Sequence, residues 1–444
     1  MSQFDVKNFI KTTPQGQNMF SDDYSTQPVP ENFKHSAFWL ANIIVGIGIC
    51  LPVFVFGGEL ASQLPFMQLV IALLLGGVAT GILMGLTSGV GASTRLSATL
   101  LGRKIFGRVG GQALMISVIM TSLGWWGVQL EIMSDILNTV LKSSYDIDIG
   151  KEVITIVIGL LMISTTIIGA QAIGKLSILA VPLMFIMLLI PLFLIPDGPS
   201  IDKLINHNIE TPASLGLMVA GMMGGWMSGV VVMPDFGRFT ASFKTAFTGA
   251  LSACVVGMTI LMGLSAFLSI WLDAPNFILA YPAMGLGLIA IVVIILSTWT
   301  SNDNNLYAAV LPVATATKAI SRPLLSLGFG LLGIGLCVFG IFSQFISWLV
   351  LNGILMSPIA ACIISYYFLA RTELSWDTTE KNFKSMPLIA WAIGSCVGYV
   401  TSPAAVYGLE LFTITTAPPL DSFIVTGVII SVYLLIKRNK VQNV

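Results

Sequence analysis

The chain has 444 residues, 55% of them hydrophobic and only 9% charged, with 21 basic and 21 acidic side chains and no net charge; its mean hydropathy is +0.90. A soluble domain carries about 25% charged residues, so the composition excludes an ordinary soluble enzyme, and the absent net charge argues against a nucleic-acid partner. The length suits about twelve membrane spans of roughly 20–30 residues each, with little chain left for an extramembrane domain.

Residues 1–35 are polar and carry Pro14, Pro28 and Pro30. They lack the basic stretch, short apolar core and small-residue cleavage site of a signal peptide, so a cytoplasmic tail is expected, either disordered or serving as a gate element. Spans are predicted at 37–57, 65–88, 110–141, 152–170, 174–196, 213–233, 243–272, 281–315, 322–341, 342–370, 386–405 and 418–436. With the N-terminus in the cytoplasm, all of the 21 Lys and Arg except Lys142, Lys151 and Lys203 fall on the inner side. That bias obeys the positive-inside rule and places both termini in the cytoplasm. Cys50, Cys254, Cys337, Cys362 and Cys396 lie in apolar runs with no metal spacing, and read as small packing residues.

Span one contains Gly46-Ile-Gly-Ile-Cys-Leu-Pro52. Span six, which runs the opposite way, contains Gly221-Met-Met-Gly-Gly-Trp-Met-Ser-Gly229. Glycine and proline weaken a helix and free backbone carbonyls and amides. Two such interruptions at matching depth are either ordinary kinks or the mark of a transporter with inverted repeats and a midplane site. Span two carries Gly77, Gly81, Gly85 and Gly89, a stripe on one helix face that reads as close helix packing.

In span three, Trp125 and Gln129 share a face. Tryptophan favours the membrane interface, so Trp125 and Trp226 deep in their spans stand out. They either fill the core or sandwich a flat heterocycle, for which stacking is worth about 1–3 kcal/mol per base. Gln129 offers donors and acceptors to an amide-like edge, and Asn302 offers the same from span eight. Neither Lys, Arg nor His lies at this depth, so the ligand is expected to be neutral.

Span eight holds Ser297-Thr-Trp-Thr-Ser-Asn-Asp-Asn-Asn305, entered from the hydrocarbon-like run 291–296. Polar side chains at membrane depth are costly and mark a functional site by default. Thr300 and Ser301 could join the carbonyls of Gly46 and Ile49 around a hard cation such as sodium, or could bond back to their own helix. Asp303 is expected to cap or gate span eight on the inner side. Glu131 and Asp135 share a face of span three nearer the outside, where they would either carry a proton or line a solvated vestibule.

Trp299-Thr-Ser-Asn-Asp-Asn-Asn-Leu-Tyr307, Pro28-Val-Pro30, Gly124-Trp125 and Asp235-Phe-Gly-Arg-Phe239 resemble the nucleobase–cation symporter family of cytosine permeases and hydantoin transporters, over about Pro28 to Arg371. The first stretch is close to the cytosine-permease pattern Trp-Thr-Thr-Asn-Asp-Asn-Ala-Leu-Tyr. The resemblance implies an all-α membrane fold of twelve helices, with two inverted five-helix repeats of the LeuT type, broken helices one and six, two additional helices, and alternating access. The expected organisation is a tail at 1–35, a transport core at 36–371 with repeats at 37–196 and 213–370, two further helices at 386–436 and a second tail at 437–444.

The resemblance puts a sodium site on the Gly46 and Ile49 carbonyls with Ser297, Thr300 and Ser301. It puts stacking aromatics on Trp125 and Trp226, and substrate contacts on Ser228 and Gln129. The chain departs from the cytosine-permease branch at Ser122, where that branch has glutamine, at Ser297, where it has asparagine, and at Tyr366-Tyr367, where it has Asp-Tyr.

The function expected is import of a neutral nucleobase-like heterocycle, cytosine or a related base, coupled to Na+ in the plasma or inner membrane, with no other cofactor and with a monomer as the working unit. H+-coupled transport of a hydantoin, purine or pyrimidine vitamin precursor is the alternative, as is a non-pumping receptor or channel. A membrane enzyme is disfavoured, because the two histidines, His35 and His207, fall in predicted tail and loop.

Overall fold

A computed structural model describes residues 24, 27–168, 183–186, 188–195, 198–316, 320–376 and 381–442. The first part of expected span five, 174–182, and the first 23 residues lie outside them. The described chain is helical throughout, apart from one parallel bridge between His35 and Thr240. In order, the principal helices are α1 (Ala37–Gly48), α2 (Leu51–Gln63), α3 (Phe66–Thr94), α4 (Ala98–Phe106), α5 (Arg108–Tyr145), α6 (Lys151–Ile168) and α7 (Leu215–Val232). They continue with α8 (Phe243–Trp271), α9 (Gly287–Ala316), α10 (Arg322–Val338), α11 (Phe345–Leu369), α12 (Ser385–Thr401) and α13 (Pro418–Gln442).

Among the described residues six helices are long and apolar enough to cross a membrane, seven if the bent pair α1 and α2 is one span. Helices α6, α9, α10 and α12 occupy four more of the predicted spans. The exposed side chains are themselves apolar, including Leu74 and Leu75 on α3, Leu331 and Leu332 on α10 and Val428 on α13. Apolar groups face outward because the surrounding medium is hydrocarbon, and helices suit it because they satisfy their own backbone groups.

The glycine stripe of α3 packs along α8. A Cβ at Gly89 would meet Phe243, at Gly85 Phe247, at Gly81 Leu251 and Cys254, and at Gly77 Thr259. Midway, α8 makes a π turn over Ala253–Met258. The Cys254 carbonyl there accepts both the Thr259 N–H and, at 3.1 Å, the Thr259 hydroxyl. A second set of close approaches joins α5, α6, α9 and α10. Gly333 faces Trp126, Gly330 faces Ile163, and Asn302 of α9 donates to the Trp126 carbonyl at 2.9 Å.

The segment before α1 is docked rather than loose. Val29 N–H donates to the Arg95 carbonyl (3.0 Å), and the Arg95 guanidinium donates to the carbonyls of Phe33 (3.1 Å), Arg238 (2.8 Å) and Thr240 (3.0 Å). Asp235, after α7, accepts from the Ala98 N–H at 2.8 Å. The Pro28-Val-Pro30 and Asp235–Phe239 stretches are therefore two sides of one knot that ties together the ends of α1, α3 and α7.

Another knot sits after α11. Glu373 accepts from Lys384 Nζ (3.0 Å) and Lys437 Nζ (2.6 Å), and Lys384 Nζ also donates to the Lys104 carbonyl (2.7 Å). Burial opposes ionisation of Glu373, but the hydrogen bonds and charges of the two ammonium groups outweigh it and hold the carboxyl below its ordinary range. A carboxyl whose pKa is depressed by folding stabilises the fold above its unfolded pKa and loses that contribution as pH falls through the folded value. Glu373→Gln should therefore lower stability at neutral pH by about 1–2 kcal/mol, both lysines being partly solvated. The deficit should vanish in acid. Thermal midpoints of purified wild type and variant across pH check this; a gap independent of pH would disprove the ionic account.

Candidate functional site

Between α1 and α2 the chain turns by 72°. Pro52 lies in the first turn of α2 and has no N–H to donate back. The Cys50 N–H instead donates to the Gly48 carbonyl at 2.9 Å, so the Gly46 carbonyl loses its helical donor. Gly48 is needed here for space: a Cβ would strike the Met258 side chain and lie 3.4 Å from the Trp226 indole. Trp226 is thus laid against the break in the first span.

The expected interruption of span six is not found. Helix α7 runs unbroken from Leu215 to Val232. Its glycines serve close packing instead. A Cβ on Gly224 would collide with the Leu349 carbonyl, and one on Gly221 would lie 3.2 Å from Phe56. Glycine weakens a helix but does not end one when a neighbouring backbone occupies the vacated surface.

Aromatic rings gather around this crossing. Trp125 meets Phe345 edge-on, with centroids 6.4 Å apart, and Phe345 meets Phe56 at 6.2 Å. Spans one, three, six and ten therefore converge on one cluster. Trp125 belongs to it, whereas Trp226 lies against the break of the first span; both are half-buried, and Ser228 is half-buried on the same helix as Trp226.

The polar block of α9 divides between two faces. On one, the Ser301 hydroxyl makes a short hydrogen bond to Gln129 Oε1 of α5. The same hydroxyl lies within reach of its own helix, at 2.8 Å from the Ser297 carbonyl and 3.1 Å from that of Thr298. Asn302 is fully buried; it donates to the Trp126 carbonyl and accepts from Asn305 Nδ2 at 3.2 Å. Ser297 is also buried and reaches the Ile294 carbonyl at 3.2 Å. Thr300 belongs to α9, but its side chain lies outside the described residues. On the other face, Trp299 and Asp303 turn toward α6. Trp299 Nε1 donates to Thr165 Oγ1 at 3.0 Å, and Asp303 accepts from Thr165 and Thr166.

Glu131 and Asp135 do not share an environment. Glu131 is 4% exposed and lies 3.9 Å from Lys151 Nζ, whereas Asp135 is exposed. One turn of helix carries the face from the packed interior to the surface. Ser122 is buried beside Thr121.

Asn352 was not singled out from the sequence. It is 1% exposed in α11; its Nδ2 donates to the Gly224 carbonyl at 2.6 Å, and its Oδ1 lies 3.2 Å from Thr121 Oγ1. One amide thus joins spans three, six and ten beside the aromatic cluster. A lone asparagine in the apolar run 345–369 was the available signal. A cavity of about 230 Å³ is lined by Gln344, Ser347, Trp348, Leu351, Tyr399 and Ser402 among others, and Trp348 packs on Gly124, next to Trp125.

A family profile described as permease for cytosine/purines, uracil, thiamine, allantoin matches residues 28–382. The cytosine permease of Escherichia coli (strain K12) is 27% identical over 387 residues, covering 85% of this chain and 89% of the relative. The inward-facing conformation of Mhp1 superposes with a TM-score of 0.75 at 17% identity, over 93% of both chains. Mhp1 in a closed conformation with bromovinylhydantoin bound, described as a nucleobase-cation-symport-1 family transporter, superposes with a TM-score of 0.70 at 18% identity, over 94% of this chain and 95% of that one.

Proposed function

The chain belongs to the family of permeases for cytosine/purines, uracil, thiamine and allantoin, and from that membership we propose that it imports a neutral nucleobase-like heterocycle together with Na+ by alternating access. It is a multi-pass membrane permease and not an enzyme. The observation that carries the reading is the bond between Ser301 and Gln129. It ties the face that offers Trp125 to the polar block of α9, within one helix turn of Ser297. Heterocycle and cation would then be held by adjoining side chains, and each would stiffen the other's site.

In this proposal Trp125 and Trp226 stack on the ring, and Gln129, Asn302, Ser228 and Ser122 surround its polar edge. Sodium takes the Gly46 and Ile49 carbonyls with Ser297, Thr300 and Ser301. The Gly46 carbonyl, released by the break at Pro52, supports this assignment. Twelve spans, inverted repeats at 37–196 and 213–370, two further helices at 386–436, cytoplasmic termini and a monomeric unit belong to the same reading. Moving one charge across about 100 mV releases about 2.3 kcal/mol, enough alone for a roughly fifty-fold concentration ratio.

The test is uptake of radiolabelled cytosine into proteoliposomes under a sodium gradient, a proton gradient or neither, with uracil, adenine, hypoxanthine and a hydantoin as competitors. Sodium-driven accumulation of cytosine, or of a competitor that binds in its place, is expected. Uptake indifferent to sodium would remove the cation assignment. Absence of binding by every heterocycle would remove the stacking site.

A further inference from the structure

At the end of the bundle that carries the Glu373 knot, several cations spend their charge on the protein itself. Lys384 and Lys437 bond Glu373, and Lys104 Nζ donates to the Trp376 carbonyl at 3.0 Å. The Arg371 guanidinium lies 5.0 Å from the centre of the Tyr367 ring. Arg108 and Lys381 are different. Both are exposed, and among the described residues no carboxylate pairs with either side chain.

Backbone bonds bring these two distant residues together. The Arg108 N–H donates to the Lys381 carbonyl at 2.9 Å, the Val109 N–H to the Asn382 carbonyl at 2.8 Å and the Lys384 N–H to the Phe106 carbonyl at 3.0 Å. Gly107, with φ of +87°, permits the approach, since a Cβ there would lie 2.8 Å from Phe383 Cα. The first two bonds satisfy N–H groups that the start of α5 would otherwise leave unpaired, so the loop 381–384 is a fixed ledge. Apolar side chains flank the two charges: Val109 is 53% exposed and Phe383 56%. A Cβ on Gly110 would lie 3.2 Å from a Leu388 methyl, so α5 and α12 start side by side. From there exposed rows run along both helices, Val109, Ile116 and Met120 on α5, Ile389 and Ile393 on α12.

We propose that this junction binds one anionic phospholipid of the adjoining leaflet, its phosphate between Arg108 and Lys381 and an acyl chain along the row that starts at Val109. Two adjoining cations above apolar rows match a molecule with an anionic head and a hydrocarbon tail. The guanidinium presents a fork to two phosphate oxygens, and the lysine adds a second positive charge. A zwitterionic head brings its own ammonium group, which the same two cations repel, so phosphatidylglycerol is preferred to phosphatidylcholine. Free phosphate would meet the charges but leave Val109 and Phe383 uncovered. Basic clusters beside membrane helices attract anionic head groups in general. Here the backbone ledge fixes two cations at one spot, and a phosphate held by both ties the start of α5 to the segment before α12. The site does not depend on the substrate or the coupling ion proposed above.

The test is thermal unfolding of the purified full chain in detergent, titrated with dioleoylphosphatidylglycerol, with phosphatidylcholine of the same chains, or with inorganic phosphate. Phosphatidylglycerol is expected to raise the midpoint to a plateau, and the other two to leave it unchanged. In the double variant Arg108→Gln with Lys381→Gln, the phosphatidylglycerol needed for half the rise should increase by about tenfold or more. Lys381→Glu alone should abolish the rise, and it serves if the double variant does not fold. Lys244 is an exposed cation at the same end, next to Phe243, which stacks on Tyr367. Lys244→Gln should move the half-point by less than about twofold, because charges apart from the site are screened. An unmoved half-point in the double variant, or an equal shift in Lys244→Gln, would overturn the site in favour of a diffuse basic face. A rise given equally by phosphatidylcholine would overturn the head-group recognition, and one given equally by inorganic phosphate would make this a free-anion site instead.

Discussion

Replacement of Gly224 by alanine is expected to lower the stability of the folded protein by about 3 kcal/mol or more, while the same change at the adjacent Gly225 is expected to be tolerated. The two positions differ in what a methyl group would meet. At Gly224 it would strike the Leu349 carbonyl, which is helix backbone and cannot rotate aside. Relief would require α7 and α11 to separate, and the crossing is held by the Asn352 bond to the Gly224 carbonyl itself. At Gly225 the nearest atom is a Leu349 methyl at 3.5 Å, an ordinary contact. There alanine also favours the helix, by about 0.5–1 kcal/mol. Thermal unfolding and monodispersity in detergent distinguish the two variants. Equal behaviour would show that α7 and α11 do not approach as described.

Gln129 and Ser301 touch each other, yet their removal should fail in different ways. Gln129→Ala is expected to raise the heterocycle concentration needed for half-maximal uptake about tenfold or more, the equivalent of one hydrogen bond lost to a buried edge. Ser301→Ala is expected to raise the sodium requirement by about tenfold, while heterocycle affinity at saturating sodium changes by less than about threefold. Both follow from the proposed roles, with the Ser301 hydroxyl of α9 serving the cation and the Gln129 amide of α5 serving the ring. Uptake titrated separately against substrate and sodium reads the split. If Ser301→Ala altered only the heterocycle requirement, that hydroxyl would belong to the ring-reading face and the cation would have to be held elsewhere.

Much of the architecture was visible in the residues, because membrane helices must bond internally and the lipid enforces apolar runs. The polar block 297–305, the four-residue glycine stripe and the proline that bends the first span all rest on strong local physics, and each has a definite place in the fold. Span six was harder. Clustered glycines permit either a broken helix or a tight crossing, and the choice lies with a partner, Leu349, more than a hundred residues away. The role of Asn352 was unreadable for the same reason, since its partners Gly224 and Thr121 come from two other spans. The docked Pro28–His35 segment looked like tail because its bonds go to backbone carbonyls and amides, which leave no trace in side-chain composition. Glu131 and Asp135 show the reach of helical spacing: it places two residues on one face without telling how far that face stays covered.

The seam between α3 and α8 has a consequence for which changes of chain length the protein can absorb. Glycines on α3 recur every four residues, while an α-helix turns every 3.6, so the row drifts around the helix by about 40° at each step. The π turn at Ala253–Met258 takes up the difference and returns Thr259 to Gly77 after Phe243, Phe247 and Leu251 have met the glycines before it. Loss of one residue there would make a more regular helix and rotate everything beyond it by about 100°. The seam therefore tolerates exchange of one residue for another far better than insertion or deletion. Lineages of this protein should keep the length from Phe243 to Thr259 constant even where its letters drift.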